Sequence, residues 1–353
     1  MTLLLLLLLI ILNLLILVNV YLKTSSCWFF VIAKNIKIYY NIISIGEINH
    51  MNNTELLARF TESRENDASE IIGAFGYGSG VFKQEGNNPS AIDLIFVVNN
   101  PHDWHKANME VNPSDYSLTG RMVLKSFDLN QIKALTGVTY QYNIHFEKAK
   151  FKYGIVGERR FLKNLRQWDR FFIPGRFQKP ILQIRSNKYI DNAIETNRNY
   201  ALLVALMTMQ TSTPTLRDLF VQICGLSYKG DIRMLFAENP NKINNIVDSN
   251  FAEFCSIYGT KTKYYHTEQD GKLVIYYDEV FADMWDLPDK LFEYLYSHDC
   301  MRSTYPEIRT GIEKYLTHLN KKDSIAQPFT GILTIGPKSS FGYLRQKIKK
   351  RFN

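Results

Sequence analysis

The chain has 353 residues, 46% of them hydrophobic and 22% charged, a balance that argues against a disordered polyelectrolyte and leaves enough length for two domains with a sizeable core. Its formal charge of +8 is unevenly placed, because the stretch from Lys338 onward carries six Lys or Arg and no acid, which leaves +2 for everything before it. Such a distribution suits contact with an anionic surface rather than coating of a long polyanion.

Leu3 to Leu22 is apolar except for Asn13 and Asn19, long enough to cross a bilayer as a helix. Residues 1–50 are therefore read either as an apolar anchor extension or as a mis-extended start, with Met51 as the true first residue. From Asn53 the texture becomes that of ordinary amphipathic protein, and Thr54 is placed to cap a helix running through Phe60. Ile71 to Val98 follows, reading IIGAFGYGSGVFKQEGNNPSAIDLIFVV. An apolar run enters a glycine turn at Tyr77, Gly78, Ser79 and Gly80, and Ile92 to Val98 is an apolar strand carrying one acid, Asp93.

A loop with Pro101 and Pro113 is expected next, then a helix over Ser126 to Thr136, then strands at Val138 to Phe146 and Phe151 to Val156. Strand, turn, helix and further strands make an α/β domain over 51–185. Beyond it the pattern turns helical, with helices over Tyr189 to Met209, Thr215 to Gly225 and Asn244 to Tyr258. A hairpin is expected from Lys263 to Tyr265 and Leu273 to Tyr276 around Gln269, Asp270 and Gly271. Three helices and a hairpin are the parts of a winged-helix-like domain, placed at 186–325, and a generic helical domain accounts for them nearly as well. The remainder, 326–353, is a closing segment with a basic tail.

The glycine turn matches neither G-x-x-x-x-G-K-[ST] nor G-x-G-x-x-G, and Tyr77 stands where a serine-hydrolase elbow needs glycine. It fits a nucleotidyltransferase layout, in which backbone N–H groups of a Gly-Ser turn cradle phosphates beside strand-borne carboxylates that hold magnesium. That layout usually has two aspartates one residue apart, and here the pair is Ala91 and Asp93. Asp93, a charge in an apolar strand, is either a metal ligand or a structural hydrogen-bonding carboxylate. Four cysteines lie scattered without a C-x-x-C pair, so neither a disulfide framework nor a zinc site is suggested. His102 and His105 have the spacing of a metal pair, but zinc is not the expected reading.

These residues together resemble the mitochondrial translocator assembly and maintenance family, the mitochondrial phosphatidate cytidylyltransferases or CDP-diacylglycerol synthases. The resemblance runs through Tyr77-Gly78-Ser79-Gly80-Val81-Phe82, Ile92-Asp93-Leu94-Ile95-Phe96, and Pro101, Trp104, His105 and Asn108. It continues in Lys152-Tyr153-Gly154, Gly175-Arg176 with Lys179-Pro180, Gly225-Leu226-Ser227-Tyr228 with Gly230-Asp231, Arg233-Met234, and Gly331 to Thr334 with Lys338-Ser339. It implies a nucleotidyltransferase-like α/β domain joined to a mainly helical winged-helix-like domain, with CTP between them. The implied activity is a magnesium-dependent transfer of CMP from CTP to phosphatidic acid that feeds cardiolipin synthesis, on the matrix side of the inner mitochondrial membrane. The family carries a single aspartate on that strand, which answers the objection raised by Ala91.

On this resemblance Asp93 holds Mg²⁺ and, with Lys152, forms the catalytic pair. Tyr77, Gly78, Ser79, His105, Asn108, Asn143, Asp231, Arg233 and Lys242 are assigned to CTP. For His105 and Asn108 the alternative is a loop-fixing role, for Asp231 and Arg233 a local ion pair or cap, and for Lys152 a solvated surface position. In the tail, Phe341, Leu344, Ile348 and Phe352 fall on one helical face. Arg345, Lys347, Lys349, Lys350 and Arg351 take the rest, as in a C-terminal basic amphipathic helix lying on an anionic membrane surface. The rival for the tail is a solvated terminus. Rival functions are a nucleotidyltransferase acting on RNA or a small molecule, and a catalytically silent import or membrane adaptor; a nucleic-acid partner is not expected.

Overall fold

A computed structural model describes residues 48–82, 91–126, 137–211, 213–236, 238–302 and 304–335. The apolar stretch Leu3 to Leu22 and the basic tail lie outside them. Among the described residues no helix is long and apolar enough to cross a membrane.

The first half is a five-stranded mixed sheet in the order β3-β4-β2-β1-β5, built from β1 (Ile71–Tyr77), β2 (Ile92–Val98), β3 (Thr139–Phe146), β4 (Ala149–Gly157) and β5 (Leu182–Arg185). β2 is central and runs parallel to β4, while β1 is antiparallel to both β2 and β5. A central strand is covered on both faces, which is why β2 is a continuous apolar run and why its one acid stands out. On one face Leu94, Phe96, Phe151 and Tyr153 pack under helix α1 (Ile48–Glu62), whose Phe60 stacks on Phe151 at 4.0 Å. On the other, Phe75, Ile95, Val97, Tyr140 and Val156 meet Phe161, Phe177 and Ile190.

Several elements differ from expectation. α1 begins at Ile48, so Thr54 is inside the helix rather than capping it; nothing between Ile48 and Thr54 breaks a helix. The Pro101 loop is instead helix α2 (Pro101–Val111), with proline in the first turn, where its missing N–H costs nothing, and the Asn100 side chain accepting from the His102 N–H. A helix α3 (Leu118–Ser126) that the sequence reading did not place stands ahead of the one expected over Ser126 to Thr136, which lies, beyond Ser126, outside the described residues.

Helices α4 (Glu158–Gln167) and α5 (Pro174–Phe177) lead into β5 and then into α6 (Lys188–Thr208). α6 belongs to both halves: Ile190, Ala193 and Ile194 pack on the sheet, while Ala201 to Met207 enter the helical core. After α7 (Leu216–Gly225) and the short α8 (Arg233–Phe236) come α9 (Lys242–Ser249), α10 (Phe251–Tyr258), the hairpin β6 (His266–Gln269) and β7 (Lys272–Ile275), α11 (Tyr277–Ala282), α12 (Asp289–Ser297) and α13 (Tyr305–Ile335), and the core gathers α7, α9 to α13 and β7. α7 starts on a capping box of Thr215 and Asp218. The single helix expected over Asn244 to Tyr258 is two helices, because Asn250 leaves helical geometry and its amide donates to the Ile246 carbonyl. The hairpin turns at Asp270 and Gly271, both at positive φ, as a two-residue hairpin loop requires. Its first strand starts later than expected, since Lys261 to Tyr264 form a 3₁₀ turn.

Candidate active site

β1 ends at Tyr77, and Gly78 turns the chain at φ +74°, a conformation that costs a side-chain-bearing residue about 1 kcal/mol or more. The N–H groups of Val81 and Phe82 close back on the Gly78 carbonyl, making a tight turn. Tyr77 is paired in register with Asp93 on β2, and Asp93 with Lys152 on β4, so the three residues form one row across the sheet. A Cβ on Gly78 would lie 3.5 Å from Asp93 Oδ2: the turn and the carboxylate face each other across a gap that glycine leaves open.

Lys152 Nζ lies 3.1 Å from Asp93 Oδ1 and over the rings of Tyr140 and Tyr142, at 4.5 and 5.0 Å. The Tyr140 hydroxyl is 3.0 Å from that of Tyr77. Burial raises the Tyr140 phenol well above its ordinary value, so it stays protonated. Beside Tyr77 sits Arg176, its guanidinium 5.5 Å from that ring and 3.5 Å from Phe172. Although burial works against its charge, contact with Tyr140 and Tyr77 and the field of Asp93 keep Arg176 ionised.

From Arg176 the positive charge continues into the helical half. Lys179 Nζ donates to Ser227 Oγ at 2.6 Å and lies 4.9 Å from the Tyr228 ring, with Lys242 Nζ 5.5 Å from the same ring. Lys242 is paired with Glu238 at 2.5 Å. Arg233 is clamped by Asp231, Nε to both carboxylate oxygens at 2.9 and 3.0 Å, and reaches Gln327 on α13. Burial pushes the Lys179 ammonium down to about 8; the charges of Arg176, Lys242 and Arg233 add to that push and the Cys224 thiol opposes it.

The two halves meet closely here. A Cβ on Gly175 would lie 2.5 Å from Ser227 Cβ, so only glycine admits this approach. Gln178, between the two cations, donates to the Ile223 carbonyl and accepts at its own carbonyl from the Tyr258 hydroxyl, both at 2.6 Å.

Tyr77, Gly78, Ser79, Asp93 and Lys152 thus come together, and Asp231, Arg233 and Lys242 join them through Arg176 and Lys179. Three expected CTP contacts stand elsewhere. His105 and Asn108 are buried on the opposite face of the sheet. His105 is 3.0 Å from the Tyr116 hydroxyl and 2.6 Å from Thr139 Oγ1, and the Asn108 amide donates to the hydroxyls of Tyr116 and Tyr153. Asn143 is exposed at φ +59°, where the β3–β4 register shifts, which makes it a bulge residue. Asp231 is turned onto Arg233 and also accepts from its backbone N–H, the ion-pair and cap arrangement weighed for it.

Arg176, Lys179, Ser227 and Tyr228 were not among the expected site residues. Two signals were available: all four stand in stretches that carry the family resemblance, and Phe171 to Ile190 carries four cations and no acid.

The profile of a family described as "Phosphatidate cytidylyltransferase, mitochondrial" matches residues 64–276, a span that holds every residue of this cluster except those on α13. Curated proteins of that name are similar to the chain. The one from Schizosaccharomyces pombe is 39% identical over 195 residues, covering 52% of this chain and 48% of the relative. The one from Homo sapiens is 34% identical over 197 residues, covering 54% and 43%. With these two the match spans about half the relative's length. The one from Xenopus laevis is 29% identical over 311 residues, covering 80% of the chain and 90% of the relative.

Proposed function

This chain belongs to the mitochondrial phosphatidate cytidylyltransferase family, and we propose on that premise that it transfers CMP from CTP to phosphatidic acid, giving CDP-diacylglycerol and pyrophosphate. The observation that carries the reading is the row Tyr77, Asp93, Lys152 facing the open Gly78 turn, continued by the cations Arg176 and Lys179.

The chemistry asks little of an acid–base catalyst. Phosphatidate is a phosphomonoester with a second pKa near 6, so its oxygen is already an anionic nucleophile at neutral pH. That oxygen forms a bond to the α-phosphorus of CTP, the bond from that phosphorus to the bridging oxygen breaks, and pyrophosphate leaves with the electron pair. What the protein supplies is placement and positive charge. The Gly78-Ser79 turn offers backbone N–H groups to the triphosphate. Lys152, held by tyrosine faces and Asp93, stands one contact away from a phosphate entering that gap.

Among the described residues no group of three or more acids, histidines or cysteines is gathered for a metal. A single carboxylate opposite a phosphate turn nevertheless fits Mg²⁺, which is commonly held by one or two carboxylates together with substrate phosphates and water. Asp93 would hold it, and the ion would neutralise triphosphate charge.

The helices α6, α7, α9 and α10 with the β6–β7 hairpin support a winged-helix reading of the second half. The relatives' names support a mitochondrial location. The acid-free tail with Arg345, Lys347, Lys349, Lys350 and Arg351 supports peripheral attachment to the matrix side of the inner membrane, where the product would feed cardiolipin synthesis.

The test is to incubate the protein with labelled CTP, Mg²⁺ and phosphatidic acid vesicles, with RNA in a parallel reaction. Labelled CDP-diacylglycerol that is lost in Asp93→Ala is the expected result. Label transferred to RNA instead would overturn the reading. Removing residues 338–353 is expected to lower vesicle binding, and to lower activity on bilayers more than on detergent-dispersed lipid.

A further inference from the structure

The direction of the reaction across the sheet decides where the acceptor enters. In an in-line displacement the attacking and leaving oxygens stand on opposite sides of the phosphorus. The row Tyr77, Asp93, Lys152 runs from β1 through β2 to β4, and the Gly78-Ser79 turn assigned to the triphosphate stands at its β1 end. With pyrophosphate leaving on that side, the attacking oxygen has to come over β4 and the edge strand β3.

That edge carries a bulge whose effect is to turn side chains toward the row. β3 and β4 pair Gln141 with Tyr153 and Ile144 with Phe151, so two residues, Tyr142 and Asn143, oppose the single Lys152. Asn143 is held there at φ +59°, a conformation that costs a residue with a side chain about 1 kcal/mol or more. One extra residue exchanges the two faces of a strand for everything after it. Tyr140 and Tyr142 face Lys152, Ile144 lies in the core on the other face, and His145 returns to the face of the row, paired with Lys150. Had β3 continued without the bulge, Ile144 would stand on the face of the row and His145 in the core.

β4 alternates in the same sense, with Phe151 and Tyr153 in the core under α1. Lys150 and Lys152 therefore share the other face, about 7 Å apart along the strand. From Tyr142 to Lys152 the chain has one acid, Glu147, and Arg59 donates to both of its oxygens at 3.0 and 3.2 Å. Lys150 and His145 are exposed, and among the described residues their side chains have no hydrogen-bond or ion-pair partner.

We propose that Lys150 and His145, at the β3–β4 edge beyond Lys152, receive the phosphomonoester of phosphatidate and hold it for attack on the α-phosphorus. This rests on the cytidylyltransferase reading. The Lys150 ammonium and a ring N–H of His145 donate to the headgroup oxygens, with Lys152 standing between that phosphate and Asp93. One headgroup oxygen bonds to the α-phosphorus as the bond to the bridging oxygen of pyrophosphate breaks, and neither side chain takes up a proton. The same edge suits a lipid surface. α13 packs against both β3 and α3, and on α3 Leu118 and Met122, one turn apart, are 79% and 68% exposed.

Steady-state kinetics of the full chain with Mg²⁺, CTP and a short-chain phosphatidic acid that stays monomeric test this, because no bilayer takes part. Lys150→Met is expected to raise KM for phosphatidate roughly tenfold and to leave KM for CTP and the melting temperature as in wild type. His145→Ala is expected to show the same selectivity at smaller size, and Lys150→Arg to recover most of the affinity. The proposal is overturned if Lys150→Met and His145→Ala both keep the wild-type KM for phosphatidate, or if KM for CTP rises by the same factor. It is equally overturned if Lys150→Met keeps that KM and instead loses binding to phosphatidylglycerol vesicles, which would make the edge a general contact for anionic lipid. Should wild type form no CDP-diacylglycerol, the substrate assignment fails by itself. Calorimetric titration with the same monomeric lipid then decides the site: binding that Lys150→Met weakens leaves a phosphomonoester receptor standing, and equal binding removes it.

Discussion

The two faces of the sheet carry similar polar residues and put them to opposite uses. On the face under α1 and α2, Arg64 holds Asp115 at 2.7 and 3.0 Å, Asp115 accepts from the Tyr153 hydroxyl at 2.6 Å, Tyr153 and Tyr116 accept from Asn108, and Tyr116 meets His105. That network is closed: each charge has its counter-charge, and the Tyr153 phenol is held neutral by burial. On the other face the row of Tyr77, Asp93 and Lys152 opens onto a glycine gap, and the cations that follow exceed the acids. The difference teaches how to tell the two kinds of polar side chain apart in this sheet: a completed charge balance marks a structural network, and an incomplete one marks the face on which the proposed function rests.

Breaking the closed face should give the largest loss. Asp115→Ala strands Arg64 and the Tyr153 hydroxyl in the interior, and urea denaturation should show roughly 3–5 kcal/mol less stability, with activity per folded molecule unchanged. On the open face, Asp93→Asn should keep the fold but lower kcat by about a hundredfold to a thousandfold, about 3–4 kcal/mol of transition-state stabilisation. Equal melting temperatures in the two proteins would confirm that the loss is chemical. Asn108→Ala sharpens the contrast, since it should cost about 1–3 kcal/mol of stability and leave KM for CTP where it was. A raised KM would return Asn108 to the nucleotide site. The smallest effect belongs to neither face: Arg217→Ala removes an exposed ion pair to Asp248 and should change stability by about 1 kcal/mol or less.

Asp93 was legible because an acid within IDLIFVV has no business in a buried strand without a partner, and Gly78 because its neighbours matched no commoner phosphate loop. Lys152 was legible as a family position, but its pairing with Asp93 depends on the register of β4 against β2, which no local pattern encodes. His105 and Asn108 misled for the same reason. Their partners Thr139 and Tyr153 come from strands more than thirty residues away, and the face of the sheet they serve is decided by how α2 lies on it. Lys179 and Arg176 stood in a stretch that carries the family resemblance and holds no acid, but their meeting with Ser227 and Tyr228 depends on how the two halves pack. The α/β class followed from the order of strands and turns, whereas α13 was missed because its apolar stripe is interrupted by a polar run, Asn320 to Asp323, whose Asn320 and Asp323 bond to the Leu226 and Phe171 backbone.

Those contacts on α13 bear on the order in which the molecule assembles. Asn320 donates to the carbonyls of Leu226 and Lys229, Asp323 accepts from the Phe171 N–H, and Tyr315 donates to the Trp168 carbonyl. One helix therefore clips the segment leading to Arg176 and the turn bearing Tyr228 into place, across separations of 152 residues in one case and 94 in another. Contacts so distant in sequence close late, after the loops between them have been ordered. A chain in which this helix has not docked would lack these clips on both segments, so under the proposed function CTP binding would report that the far end of the described fold has docked.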